Sequence, residues 1–530
     1  MAAHELRIID AKRELVLHHL IHLRRWRNLV VPPLLRLPTE LILDISVVAV
    51  KLSYRGFRFW VNLTAICHRI REMLIYSPFL WRIINADSIP LAKLFLKRCN
   101  SNPPALFVTD HLFLSRPTRT DKTEFWEELE GRTLDNLRFL MFRGLKNEFE
   151  HRVVDLLRRT QNLSTLEIET RPCLSWDFEW TLGNQLPHLT MLRLSQVRIN
   201  WDAPILRNLT KLILNFACVR SPKRFTSVQT FLSVLENCPD LESLHLVSAG
   251  PVPEDDAKDG GKIVPLYKLK DLVLFFEEKQ RRVMVCILSH IWFPVSTKVQ
   301  IETSCRDGPL AALSQILPPP NAAIFQHLRK PTIITIYICS SLYELATDNF
   351  RLIILPECDE ESYPSNLEIM PQFLSKFVEI IGGETAIALH VRFDLPYDVP
   401  RGVWKELLRG FPHLEVICIQ RSGGSVDPFC SVFSEPFEGG FVCPRLRDLR
   451  VPRSFTQGSS AVTLKQALLK RGACGTRLKR ISVNMTLEDE EGLLRPFRDV
   501  ADEVSRFQIT TEGLSSSVSS PLKQNKTLEN

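Results

Sequence analysis

One segment near the N-terminus reads Leu37-Pro-Thr-Glu-Leu-Ile-Leu-Asp-Ile45, then, after a spacer, Asn62-Leu-Thr-Ala-Ile-Cys-His-Arg-Ile-Arg-Glu72, and finally Ser77-Pro-Phe-Leu-Trp81. A proline in second place suits the first turn of a helix, where its missing N–H would have no partner. The apolar residues after it fall on one helical face, and Leu63 to Leu74 repeat this spacing as a second helix, which Pro78 ends. Such short helices bury little apolar surface alone. The segment therefore predicts a small helical unit that needs a partner.

Length and composition describe an ordinary globular protein. With 530 residues, the chain exceeds what one compact core usually holds, so two domains or an elongated array are expected. The net charge of +7 is small and the basic residues are scattered, so no nucleic acid partner is expected. The 13 cysteines form no C-x-x-C pair, no signal peptide is recognisable, and no apolar run approaches the roughly 18 residues of a membrane helix. These features predict a protein of the cytoplasm, the nucleus or both, without membrane association.

A six-residue theme, Leu-x-x-Leu-x-Leu with apolar substitutions, recurs along the rest of the chain. Within the two series of copies, which are separated by residues 275–413, the steps range from 20 residues, between Leu189 and Leu209, to 32. These steps bracket the leucine-rich-repeat period of about 20–29 residues. The first residues of the nine copies are Leu137, Leu163, Leu189, Leu209, Leu241, Leu269, Leu414, Leu446 and Leu478.

The theme has a simple physical meaning. Its aliphatic residues point into a continuous core, while the residues between them face outward along a short parallel strand. Each unit buries its apolar side only by stacking on its neighbours, so many repeats are needed. A helix at residues 90–99 and a strand at 104–109 are predicted before the repeats, and helical returns between the strands are predicted at 150–159, 226–239, 403–409 and 461–469.

Between residues 299 and 393 the theme weakens. Strands are predicted at 299–303, 332–338 and 386–393, with helices at 308–317 and 367–381, as degenerate repeats of the same sheet. Insertions are predicted at 251–262 and 423–440. The chain beyond about residue 508 has too little apolar surface to order itself, so a disordered tail is predicted.

The three sub-motifs of residues 37–81 resemble an F-box of the kind found in fungal F-box/leucine-rich-repeat proteins. They stand in the order Leu-Pro-x-Glu-Leu-x-x-x-Ile, Leu-x-x-Ile-Cys-x-Arg-x-Arg and Ser-Pro-x-Leu-Trp. The helix predicted at residues 3–28 is similar to the lead-in of such proteins. This chain departs from the family in carrying Ile70 where Trp is usual, and in its long spacer Val47–Val61.

The resemblance implies two separate binding roles for the two parts of the chain. The F-box would dock on the Skp-family adaptor of a cullin ubiquitin ligase, and the repeats would bind an unknown protein substrate. An alternative is a leucine-rich-repeat scaffold without ligase role, whose helical segment only caps the array. The residues that the resemblance implies for adaptor binding are Leu37, Pro38, Leu41, Ile42, Ile45, Leu63, Ile66, Ile70, Leu80 and Trp81.

The expected fold class is α/β, an N-terminal helical F-box followed by an irregular leucine-rich-repeat solenoid with parallel strands on one face and helices on the other. The expected domains are residues 1–34 (helix and Pro-rich connector), 35–85 (F-box), 86–507 (degenerate repeats) and 508–530 (tail). Strand alternation predicts which side chains line the concave face and meet the target. They are Met191, Arg193, Ser195, Lys211, Ile213, Asn215, Ser243, His245, Asp271 and Phe275.

No pattern predicts catalysis, so the chain is expected not to be an enzyme and to need no cofactor or metal. Asp259-Gly-Gly-Lys lacks the frame of a phosphate-binding loop. His18 and His22 share a helical face, but a metal site would need further ligands. The F-box resemblance implies a packing role for Cys67, so it is not expected to be a nucleophile. A nucleic-acid-binding array, the third hypothesis, rests only on the mildly positive charge.

Overall fold

The structure is a computed structural model of the chain. Two compact units emerge from it, Met1–Leu212 with Cys218–Ser221, and Ile213–Ala217 with Pro222–Asn530. The predicted tail and most of the predicted insertion at 251–262 lie outside the residues that the structure describes. Those residues are 2–30, 37–52, 58–81, 83–85, 89–99, 105–109, 126–130, 134–145, 150–170, 176–177, 186–216, 225–251, 262–306, 308–316, 324, 328, 330–356, 363–395, 398–421, 425–437, 440–485 and 491–507.

Both units are mixed α/β, as predicted, with mostly parallel strands. In the first unit the helices are α1 (Ala2–Val30), α2 (Thr39–Leu52), α3 (Arg58–Thr64), α4 (His68–Ile75), α5 (Ile89–Arg98) and α6 (Glu150–Arg158). In the second they are α7 (Val228–Glu236), α8 (Arg281–His290), α9 (Pro309–Ile316), α10 (Tyr363–Ile381), α11 (Arg401–Gly410), α12 (Asp427–Phe433) and α13 (Gly458–Ala473).

The strands of the first unit are β1 (Ile83–Asn85), β2 (Ala105–Thr109), β3 (Phe139–Leu145), β4 (Thr165–Thr170) and β5 (Met191–Ser195), and β6 (Lys211–Asn215) crosses the unit boundary. Those of the second are β7 (Ser243–Val247), β8 (Asp271–Phe276), β9 (Lys298–Cys305), β10 (Ile333–Cys339), β11 (Leu342–Ala346), β12 (Phe350–Pro356), β13 (Ala388–Asp394), β14 (Val416–Arg421), β15 (Asp448–Pro452), β16 (Leu478–Asn484) and β17 (Ala501–Phe507).

Each of the nine six-residue motifs contains or begins a strand, which confirms that part of the prediction. In the first unit, β1 to β5 pair in parallel in chain order. In the second, β7 pairs with β8 and β8 with β9, and the series β13 to β17 is parallel throughout. Alternation explains the core, because Leu244 and Leu246 of β7 are fully buried while His245 between them is not.

One strand, β11, breaks the parallel order, and the sequence-based interpretation of 299–393 as simple degenerate repeats missed both β11 and β12. β11 lies antiparallel between β10 and β12. As a result β9 pairs with β12 and β10 pairs with β13. The turn from β11 to β12 is closed by a 2.7 Å bond from the Thr347 N–H to the Phe350 carbonyl. The connections from β9 to β10 and from β12 to β13 therefore each pass two strand positions.

Two further predictions are wrong in detail. The predicted insertion at 423–440 contains α12, whose Phe429, Val432 and Phe433 are buried, so this stretch is the helical return between β14 and β15. The single helix predicted from Leu63 to Leu74 is broken between α3 and α4. Cys67 has an extended backbone (φ −157°, ψ 166°) at the break, and the Arg71 side chain donates to the Thr64 carbonyl at 2.8 Å across it.

None of the helices in the described part of the chain combines the length and the apolar character that a membrane crossing requires.

Candidate functional site

The head, which we define as residues 37–81, has a small core of its own. Ile42, Ile70, Leu74, Leu80 and Trp81 are buried. The Trp81 indole N–H donates to the Leu74 carbonyl at 2.7 Å, so the polar atom of this buried ring is satisfied.

Trp81 also joins the head to α5. The Trp81 ring meets the ring of Phe95, on α5, edge-on with 4.7 Å between centroids. The guanidinium of Arg98, also on α5, lies 4.4 Å from the centroid of the Trp81 ring. Burial lowers the pKa of Arg98 below its ordinary value. Trp81 is therefore part of the interior.

An apolar stripe on α2 faces away from that core. Leu41, Ile45 and Val48 are 48%, 46% and 53% exposed and stand at i, i+4 and i+7, so they form one line along the helix. Pro38, one turn earlier, and Ile66, in the turn before α4, are exposed as well. We call Pro38, Leu41, Ile45, Val48 and Ile66 the head surface.

The structure thus separates the ten residues that the resemblance implies for adaptor binding into three groups. Pro38, Leu41, Ile45 and Ile66 belong to the head surface, and Leu37 and Leu63 are half-buried. Ile42, Ile70, Leu80 and Trp81 are buried, so in this structure they support the surface and do not contribute to it. Val48 was not predicted, although its spacing from Leu41 and Ile45 is visible in the sequence.

In the first unit, the predicted target-facing positions differ in exposure. Arg193 of β5 is exposed and lies 3.9 Å from Glu167 of β4, while Met191 and Lys211 are half-buried. Ser195 is buried, so the prediction that it lines an accessible face is wrong.

In the second unit, Ile213, Asn215, His245 and Asp271 are half-buried on the predicted face. Ser243 is buried, and Phe275 is only 2% exposed. The register explains the burial of Phe275: its neighbours on β7 and β9 are Val247 and Glu302, both buried as well. The prediction that Ser243 and Phe275 line an accessible face is wrong.

Ser243, His245 and Asp271 lie together but do not form a nucleophile–base–acid relay. His245 Nε2 is 3.1 Å from the Ser243 hydroxyl and 2.5 Å from an Asp271 carboxylate oxygen. A relay requires the two partners to bond different ring nitrogens, so that one takes a proton while the other orients the ring. Because both contacts share Nε2, the three side chains only link β7 to β8 by polar contacts.

A second polar surface, missed by the sequence-based list, runs across β10, β13 and β15–β17. The Arg392 Nε donates to Asp394 at 2.7 Å, and its guanidinium lies 4.9 Å from the Tyr337 ring centroid. Arg480 Nε donates to Glu503 at 2.9 Å. Strand alternation could have predicted this surface from the sequence, because its side chains stand at the outward positions of their strands. We call it the charged strip: Tyr337, His390, Arg392, Asp394, Asp448, Arg450, Arg480 and Glu503.

Within the charged strip, each arginine has a carboxylate close by. Arg450 donates to an Asp448 oxygen through Nε at 3.2 Å and Nη2 at 3.1 Å. Hydrogen bonding by Glu503 raises the pKa of Arg480, as Asp394 does for Arg392. The strip is therefore charged locally but close to neutral as a whole.

His390, in the middle of the strip, is the group whose protonation the fold opposes. Burial lowers the pKa of His390 below its ordinary value, and the nearby Arg450 guanidinium lowers it further. Its register neighbours, Thr335 and Cys418, carry no charge that would offset this effect.

Replacing His390 by glutamine is expected to make folding stability less sensitive to acid. The unfolded chain binds a proton at His390 once the pH falls to about 6.5, while the folded chain does so only at lower pH. The stability associated with neutral His390 is therefore complete above the unfolded-state pKa and is lost as the pH falls through and below it. Urea denaturation at about pH 7.5 and about pH 5.5 should show a larger loss for the unaltered chain than for His390→Gln. His151→Gln, at an exposed position, should behave like the unaltered chain; equal pH dependence of all three would contradict the assignment.

The described residues also limit other chemistry. Burial raises the pKa of the Cys430 and Cys443 thiols to about 12, so both stay protonated and act as packing groups. His18 and His22 do meet, with ring centroids 4.6 Å apart. Across the part of the chain that the structure describes, no group of three or more His, Cys, Asp or Glu side chains could hold a metal ion.

Comparison with known proteins adds no identity: no protein-family model matches this chain, and no curated protein matches it significantly.

Proposed function

We propose that this chain is the substrate-recognition subunit of a Skp–cullin–F-box ubiquitin ligase. In this proposal the head is an F-box that docks on a Skp-family adaptor, and the strand-and-helix array is an irregular leucine-rich-repeat solenoid that binds a protein target. The chain itself would perform no catalysis, because the ligase chemistry belongs to other subunits. Its contribution would be to raise the local concentration of target lysines in the cytoplasm, the nucleus or both.

The observation that carries the proposal is the exposed stripe of the head surface. A helix in a globular protein normally turns its apolar line toward the core, yet Leu41, Ile45 and Val48 remain about half exposed while Ile42 packs inward. A head that served only as a cap would be expected to bury this line. The stripe therefore favours docking of a second protein over the scaffold alternative.

The target-binding part of the proposal is supported by the polar character of the strands. The exposed Arg193, the half-buried His245 and Asp271, and the charged strip offer hydrogen bonds of both polarities. Because every arginine of the strip has a carboxylate nearby, the strip provides no track of unopposed cations for a phosphate backbone. A protein ligand suits the charged strip better than nucleic acid.

The direct test is binding of the full chain to a purified Skp-family adaptor, measured by calorimetry. The proposal expects a saturable one-to-one complex. Absence of binding would refute the ligase role and leave the scaffold alternative. Binding of nucleic acid with a steep salt dependence would instead favour the third hypothesis.

A further inference from the structure

The second unit has an apolar surface that the proposed function does not use. A short parallel ribbon pairs Val264–Pro265 with Ile291–Trp292, and the Leu266 N–H donates to the Trp292 carbonyl at 2.8 Å. Its inward residues, Val264, Leu266, Ile291 and Phe293, are buried and anchor both segments. Alternation then directs the residues between them outward. Five residues that alternate with the inward ones, flank them or follow them make up what we call the ribbon surface: Ile263, Pro265, Tyr267, Trp292 and Val295.

The side chains of the ribbon surface are unusually exposed for apolar and aromatic residues. Tyr267, Ile263 and Val295 are 69%, 58% and 52% exposed, and Trp292 is half-buried. The Tyr267 and Trp292 rings are in contact, with centroids 5.4 Å apart and planes inclined by 58°. The two contacting rings therefore form one aromatic surface on a ribbon that is anchored by its buried residues. Tyrosine and tryptophan are also the residues enriched among binding hot spots.

The charges beside this surface cancel. Lys262, just before Ile263, lies 2.5 Å from Glu236, and Lys268, just after Tyr267, lies 2.6 Å from Asp240. Hydrogen bonding by Asp240 raises the pKa of Lys268, so this lysine stays charged and matched. A neutral rim offers little attraction to a strongly acidic or basic ligand. The complementary occupant is an uncharged, apolar one.

We propose that the ribbon surface binds a proline-rich segment of a partner protein in the polyproline II conformation. Such a segment has no internal hydrogen bonds, so its carbonyls are free to accept them. The Tyr267 hydroxyl and the Trp292 indole N–H are donors at the ends of two flat apolar rings, which is the combination used by aromatic grooves that recognise proline-rich peptides. Pro265 and Ile263 extend the apolar contact along the ribbon. This inference is independent of the adaptor and of the target surface.

The test uses the full chain and a fluorescein-labelled decaproline peptide, followed by fluorescence anisotropy. Saturable binding is expected with a Kd below about 1 mM, and a Gly-Ser peptide of equal length should not bind. Tyr267→Ala is expected to weaken binding at least about tenfold, and Tyr267→Phe to weaken it less, because Phe keeps the ring and loses only the hydroxyl. Val462→Ala, at a comparably exposed apolar position of α13, should leave the affinity unchanged.

Three outcomes would overturn the inference. The first is no saturable binding of decaproline. The second is binding that Tyr267→Ala and Trp292→Leu leave intact, which would place the peptide elsewhere. The third is a concentration-dependent dimer in sedimentation that Tyr267→Ala abolishes, which would make a second copy of this chain the occupant. Because Tyr267 is largely exposed, its replacement should leave the circular dichroism spectrum unchanged, so a loss of binding can be assigned to the surface.

Discussion

The double replacement Leu41→Asp and Ile45→Asp is expected to abolish adaptor binding while leaving the chain folded. Both side chains are close to half exposed on the head surface, so neither carboxylate has to enter the core. In the complex each would be desolvated against an apolar partner without a counter-charge. Each change should cost on the order of 2 kcal/mol or more of binding free energy, so the pair should reduce the affinity by about a thousandfold. Calorimetry of the full-length variant with the purified adaptor measures this loss.

The matched control is Val462→Asp. It places the same carboxylate at an exposed apolar position on a helix of the second unit, and it should leave adaptor affinity unchanged. Circular dichroism should report the same helix content for all three proteins. Unchanged adaptor affinity in the double variant would remove the head surface from the interface, whatever the fate of the ligase role.

The head shows where prediction from sequence reaches its limit. Helical spacing identifies apolar residues, but in a unit this small nearly every apolar residue has that spacing. Ile42 and Ile45 illustrate this, since both fit the pattern and only Ile42 is buried. Which of the two faces inward depends on tertiary packing, in which α2 lies against α3 and α4. The break between α3 and α4 was hidden for the same reason, because Leu63, Ile66 and Ile70 keep apolar spacing across it.

The strands were easier to predict, because alternation is local and is reinforced in every repeat. The nine motif-based strands are present, whereas β11 and β12 were missed because no repeat motif marks them. A signal was nonetheless present: Asp348 and Asn349 form a polar turn between two stretches rich in aliphatic residues, which is typical of a hairpin. The repeat interpretation overrode it. Burial on the outer face was beyond prediction, since Phe275 is covered through neighbours on two other strands.

Arg471 is a buried cation, although its place in the sequence suggests an ordinary surface residue. It follows Lys470 in the last turn of α13, where basic residues usually face solvent. Its spacing from the buried Leu464, Ala467 and Leu468 nevertheless puts it on the inner face of the helix. Burial lowers the pKa of Arg471 to about 10, which still leaves it charged at neutral pH.

The guanidinium of Arg471 ties together the segments on both sides of residues 434–441. It donates to the Phe433 carbonyl at 3.2 Å, to the Val442 carbonyl at 2.8 Å and to the Cys443 carbonyl at 3.0 Å. It also lies 4.3 Å from the Phe433 ring centroid. These contacts hold the end of α12 and the segment just before the next strand motif against α13. One planar fork supplies donors that an apolar side chain cannot.

Replacing Arg471 by methionine is expected to lower the free energy of unfolding of the second unit by about 3–5 kcal/mol. Methionine fills much of the volume, but the Phe433 and Val442 carbonyls lose the Arg471 donor, at a cost of about 1–3 kcal/mol each before relaxation. The Cys443 carbonyl keeps a 3.1 Å hydrogen bond from the Leu446 N–H. Arg471→Lys should fall between, since a single ammonium cannot reach all three carbonyls. Urea denaturation measures the change, and Lys470→Met, one residue away and exposed, should stay within about 0.5 kcal/mol of the unaltered chain. If Arg471→Met were as mild as Lys470→Met, the cross-link would contribute nothing, and packing of Phe429, Val432 and Phe433 alone would have to hold α12 in place.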